Sequence, residues 1–87
     1  MTRTLEGELA AYAVMIGKKL QAARMARGLS QVDLGRRFGV ERNNLQKWES
    51  GKLNVTIETL LKLAAALDAD LVIDFVLRNP GDPGSEV

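Results

Sequence analysis

The chain reads as an all-α domain of four to five helices that ends in one short β-strand. Three observations carry that reading. The composition is 46% hydrophobic but only 5% aromatic, which suits a helical core better than a sandwich of sheets. Apolar residues recur at steps of three and four from Leu5 to Leu67, and glycines punctuate them. Only the stretch Leu71 to Leu77 changes to an alternating pattern. Eighty-seven residues suffice for one modest core and not for two.

Leu5, Leu9, Tyr12, Ile16, Leu20 and Ala23 mark one apolar face of a long helical segment. Gly17 interrupts it and signals either a break into two helices or a place of close packing. Gly28 is a stop signal, with Arg24 and Arg27 placed to suit the negative end of the helix dipole. Ser30 can cap a second helix whose apolar positions are Val32, Leu34 and Phe38, ended by Gly39. A third helix is expected from about Glu41 to Ser50, with Leu45 and Trp48 pointing inward. Two short helices joined by a glycine-containing turn form a helix-turn-helix. After a loop over 51–55, Thr56 can cap a fourth helix whose apolar face is Ile57, Leu60, Leu61, Ala64 and Leu67. The last nine residues, 79–87, hold two prolines and two glycines, a composition that predicts a disordered tail.

Charge divides unevenly along this frame. Residues 17–52 carry nine bases and three acids, a net of +6, whereas residues 53–87 carry two bases and six acids, a net of −4. A basic centre suits a polyanion, and an acidic end suits a different partner. There is no cysteine and no histidine, so a thiolate zinc site, a disulfide framework and imidazole-assisted catalysis are all excluded. The serines Ser30, Ser50 and Ser85 have no imidazole to activate them. No enzyme activity, cofactor or metal is expected. The longest apolar run, Leu9 to Ile16, falls far short of the roughly 20 residues of a membrane span. A reducing, cytoplasmic setting without membrane attachment is the corresponding expectation.

The run Leu29-Ser30-Gln31-Val32-Asp33-Leu34-Gly35-Arg36-Arg37-Phe38-Gly39-Val40, followed by Leu45, Trp48-Glu49 and Gly51, resembles the lambda-repressor-like (Xre) DNA-binding domain. The resemblance spans about Gly17 to Leu67 and departs at Gly35, where that family usually has alanine. It implies a bacterial or phage, nucleoid-associated protein that binds double-stranded DNA. Gln31 would then bind a phosphate and hold the third helix in register. Arg24 and Glu49 match positions that form an internal ion pair. The third helix would enter the major groove, where base edges are read by long hydrogen-bonding side chains. With Leu45 and Trp48 turned inward, the outward residues are Glu41, Arg42, Asn43, Gln46 and Lys47. Arg42 and Lys47 have donors for guanine, and Asn43 can pair with adenine in bidentate fashion. Contact with phosphate is the competing role for each. Asn44 and Lys52 are expected phosphate ligands, and Lys18 and Lys19 fit either a DNA backbone or a solvated face.

A strand over 71–77 cannot satisfy its own backbone, and no second strand of matching length is visible in the sequence. Pairing with the same strand of a second copy, about a twofold axis, is the economical solution. It would also space two recognition helices for palindromic half-sites. Irregular packing of 71–77 on its own helices is the alternative. The passage from a fourth helix directly into an apolar strand is similar to HipB- and HigA-type antitoxins, which implies a protein toxin as a further partner. The expectation is a homodimeric transcriptional repressor, with antitoxin as the competing function. Its domain covers residues 1–78, with a helical extension over 4–16, a core over 17–67 and a strand over 71–77.

Overall fold

The computed structural model describes residues 4–52 and 55–79, and they form four helices. Helix α1 spans Leu5–Ala26, α2 Gln31–Phe38, α3 Arg42–Glu49 and α4 Ile57–Ala66. Three of the four starts have a side-chain cap. The Thr4 hydroxyl accepts the amide of Gly7 at 2.9 Å, and Glu6 and Glu8 occupy the first turn of α1, where the dipole favours acids. Ser30 and Asp33 close a reciprocal capping box on α2: Ser30 Oγ accepts from the Asp33 amide and Asp33 Oδ2 from the Ser30 amide, each at 3.0 Å. Thr56 caps α4 through the amide of Thr59 at 3.1 Å. The N-cap of α3 is Glu41, just outside the helix, and its side chain makes no cap bond. Gly39, at φ 86°, ends α2 in the left-handed region that glycine tolerates.

Five leucines make the centre: Leu20 from α1, Leu34 from α2, Leu45 from α3, and Leu63 and Leu67 from α4. Around them pack Ala23, Leu29, Phe38, Val40, Trp48, Val55 and Ala66. Trp48 is half-buried and meets Phe38 edge-on, with ring centroids 5.7 Å apart and planes at 84°, a favoured aromatic geometry. Helix α3 is gripped between α1 and α2, and α2 also packs on α4.

Gly17 does not split the first helix. α1 runs through it unbroken, because α3 ends directly against it. A β-carbon at Gly17 would lie 2.5 Å from the Trp48 carbonyl oxygen, and closer still to that of Glu49. Of the expected apolar face of α1, Leu20 is buried, whereas Leu5, Leu9 and Tyr12 are 83%, 50% and 56% exposed. The face that meets α3 is turned toward Ala13 and Gly17. Similarly, in α4 Leu63 takes the central position, while Ile57 and Leu61 remain on the surface. Val32 is exposed as well, leaving Leu34 to anchor α2.

The expected strand over 71–77 is not formed in the single chain. Residues 69–79 follow α4 without strand or helix, because a strand needs a neighbour's amides and carbonyls and no described residue supplies them. Val72, Phe75, Val76 and Leu77 are each at least 85% exposed. Of the tail expected to be disordered, residues 80–87 lie outside the described residues, as do 53 and 54 of the loop.

Two tests follow from these local causes. Helix propensity alone would make Gly17→Ala stabilising by about 1 kcal/mol. The contact with the α3 carbonyls reverses the sign, and a loss of about 1–3 kcal/mol is expected in urea unfolding. For Asp33, hydrogen bonds from the Ser30 amide and then the Ser30 hydroxyl hold the carboxyl below its ordinary value of 3.8. A depressed carboxyl contributes stability that is complete above its unfolded value and is lost as pH falls through the folded one. The stability gap between the wild-type chain and Asp33→Asn should therefore be constant near neutrality and shrink below about pH 4.

Candidate nucleic-acid interface

Helices α2 and α3 are joined by residues 39–41, and the joint is tight. The carbonyl of Gly35 accepts both the Gly39 amide at 2.7 Å and the Val40 amide at 3.0 Å. This folds the turn back onto α2 so closely that a β-carbon at Gly35 would sit 2.7 Å from the Val40 carbonyl oxygen. The glycine that departs from the Xre pattern thus matches the path of its own turn. Leu45, fully buried, sits over the same spot and seats α3 on α2.

The inner end of α3 is held by charge. Glu49 is buried, with its side chain 4% exposed, and it takes both prongs of Arg24. Arg24 Nε donates to Glu49 Oε2 at 2.7 Å and Arg24 Nη2 to Oε1 at 3.0 Å. Arg24 Nη1 donates to the Leu29 carbonyl at 2.7 Å, tying down the link between α1 and α2. The hydrogen bond to Glu49 raises the Arg24 pKa above its ordinary value in spite of burial, so the guanidinium stays charged. Gln31 extends the cluster. Its Nε2 donates to Glu49 Oε1 at 3.2 Å, and its Oε1 accepts from Arg42 Nε at 3.4 Å. One buried carboxylate therefore connects α1, the first residue of α2 and α3.

The residues named from the sequence separate cleanly in this frame. Arg42, Asn43, Gln46 and Lys47 are exposed and form one stripe at helical spacing, opposite Leu45 and Trp48. Asn44 is exposed on the flank of that stripe, and Glu41 is exposed at its leading end. Lys52, also exposed, follows α3 closely, its amide donating to the Lys47 carbonyl at 2.9 Å. Gln31 is half-buried and reaches Arg42 at the edge of the stripe. Lys18 and Lys19 are exposed on α1.

Besides Arg24, two bases of the +6 segment have other work. Arg27 donates to the carbonyls of Leu67 and Asp68 at 2.9 and 2.7 Å, and Arg37 to that of Ala66 at 3.3 Å. The last turn of α4 has no basic residue of its own, so Arg37 of α2 and Arg27, the residue that ends α1, donate to the carbonyls at and just beyond its end. The basic surface is correspondingly narrower than the sequence suggests. The Ser30-x-x-Asp33 spacing was a legible sign of the capping box, whereas nothing local to Arg27 or Arg37 announces their target. Among the described residues no cluster of acids could hold a metal ion, and no helix is long and apolar enough to cross a membrane.

Removing Glu49 would leave Arg24 buried and unpaired. Glu49→Ala is expected to cost about 3–5 kcal/mol in chemical unfolding, more than truncating any exposed residue of α3.

Residues 20–73 match the helix-turn-helix family. A Pyrococcus horikoshii protein named as an HTH-type transcriptional regulatory protein is 38% identical over 61 residues, covering 70% of this chain and 19% of that protein. An uncharacterized HTH-type transcriptional regulator of Rickettsia conorii is 36% identical over 56 residues, covering 64% of this chain and 45% of that one. The chain thus spans less than half the length of these relatives. Among solved structures, the restriction-modification controller protein C.AhdI from Aeromonas hydrophila is 39% identical. It superposes with a TM-score of 0.68 over 70% of this chain and 88% of its own. The turn between α2 and α3, the buried Leu45 and the match over 20–73 agree: this chain belongs to the helix-turn-helix family.

Proposed function

We propose that the chain is a sequence-specific DNA-binding transcription regulator that reads the major groove with α3. The observation that carries this is the division of α3: Leu45 and Glu49 are buried in the domain, while Arg42, Asn43, Gln46 and Lys47 are exposed together. A groove reader needs such a helix, rigid behind and rich in donors and acceptors in front. The names of the Pyrococcus and Rickettsia relatives, and the controller protein of similar structure, support the same reading.

Arg42 and Asn43 are assigned to base edges, Arg42 to guanine and Asn43 to adenine. Gln31, Asn44 and Lys52 are assigned to phosphates, which position the domain without specifying sequence. Glu41, Gln46 and Lys47 complete the outer face. The chain acts as a homodimeric repressor on a palindromic operator, two copies of α3 entering successive turns of the groove. Segment 71–77, without helix or strand in the single chain and exposed from Val72 onward, pairs at the twofold with its equivalent. A second reading, as an antitoxin, is favoured by the same segment, since exposed Phe75, Val76 and Leu77 beside Asp70 and Asp74 also suit a protein partner.

With the preferred operator obtained by selection from random DNA, Arg42→Ala and Asn43→Ala should each weaken binding by about 1–3 kcal/mol. Preference should relax at one base position per variant. Lys52→Ala should weaken all sequences alike and flatten the salt dependence. Unchanged affinity and preference in both α3 variants would remove this helix from the reading role.

A further inference from the structure

Between Gly17 and Lys52 the chain carries three acids, Asp33, Glu41 and Glu49, among nine bases. Two of the three are engaged within the fold. Asp33 accepts the Ser30 amide in the capping box of α2, and Glu49 is the buried partner of Arg24 and Gln31. Glu41 stands at the N-cap of α3, where a short side chain ordinarily accepts a helix amide, yet it makes no cap bond and is exposed. The adjacent Arg42 turns its Nε to Gln31 instead. Among the described residues no hydrogen bond or ion pair engages the Glu41 carboxylate.

Such an acid is costly on the reading of α3 given above, on which this inference rests. The N-terminal residues of a recognition helix meet base edges in the major groove, flanked by phosphates that repel a carboxylate. Phosphate contact, the competing role for the basic residues of this face, is closed to an acid. An ionised carboxylate can only accept hydrogen bonds. In the major groove cytosine presents its N4 amino donor alone, adenine sets an N7 acceptor beside its amino group, and guanine and thymine present acceptors. We infer that Glu41 is a specificity-determining residue that selects cytosine, accepting a hydrogen bond from N4, and that rejects guanine and thymine by setting acceptor against acceptor. Its repulsion of phosphate lowers affinity for every sequence, and cytosine at one position offsets that loss. Discrimination by an unfavourable contact complements the donors of Arg42, which suit guanine.

The test compares the full chain with Glu41→Ala and Glu41→Gln in binding to the selected operator, to operators with each position replaced in turn, and to random-sequence duplex. Glu41 is exposed and caps nothing, so both variants should keep the helical circular dichroism signal and the melting temperature. The wild-type chain should prefer cytosine over guanine by at least about fivefold at one position of the half-site. Both variants should lose most of that contrast, at that position alone. Both should also bind the random duplex more tightly, whereas loss of a merely structural residue would weaken all DNA alike. Folded variants that keep the cytosine contrast, or that bind random duplex no more tightly, overturn the role of Glu41. A wild-type chain without base preference, or Arg42→Ala and Asn43→Ala variants with unchanged preference, overturns the reading of α3 itself.

Discussion

The buried ion pair between Arg24 and Glu49 is the constraint from which the rest of the domain takes its geometry. Glu49 lies at the last residue of α3, Arg24 in the last turn of α1, and the third guanidinium nitrogen holds the Leu29 carbonyl. A pair of this kind costs much of its attraction in desolvation, so it is weak grounds for net stability. Its value is directional. A planar guanidinium accepts a carboxylate in one orientation, and that orientation sets how far α3 is rotated about its own axis. Arg42, Asn43, Gln46 and Lys47 face outward because Leu45 and Glu49 are pinned inward. Gln31, held by the same carboxylate, carries that positioning to the start of α2.

Close backbone approach does the complementary task of setting distance. At Gly17 the end of α3 meets α1 with no room for a side chain, and at Gly35 the turn between α2 and α3 meets α2 in the same way. Leucines fill the remaining volume. In so small a core, Leu34, Leu45 and Leu63 account for the largest side chains wholly removed from water. The exposed face of α3 therefore rests on a frame in which rotation is set by charge and separation by glycine.

The periphery follows a different logic. Leu5, Leu9 and Tyr12 on α1 and residues 72–77 after α4 are not covered by the five leucines and remain on the surface of the single chain. Their alternation and helical spacing are nonetheless those of buried elements.

Much of this was legible in the linear order of residues. The four helices, their caps at Ser30 and Thr56, the stop at Gly39 and the outward set on α3 all depend on neighbours within four positions, so local chemistry was enough to name them. The Arg24–Glu49 pair was legible only through the resemblance to Xre domains, because its partners are 25 residues apart. Tertiary structure alone decided the remainder. It made Gly17 a contact point rather than a break, turned the core face of α1 toward Ala13 and Gly17, chose Leu63 over Leu61, and drew Arg27 and Arg37 onto the carbonyls of α4. It also left 71–77 without a strand, since hydrogen-bond partners for an extended backbone come from another segment and periodicity cannot say which. Each of these outcomes depends on which surfaces meet across the fold, and that meeting has no signature in local spacing.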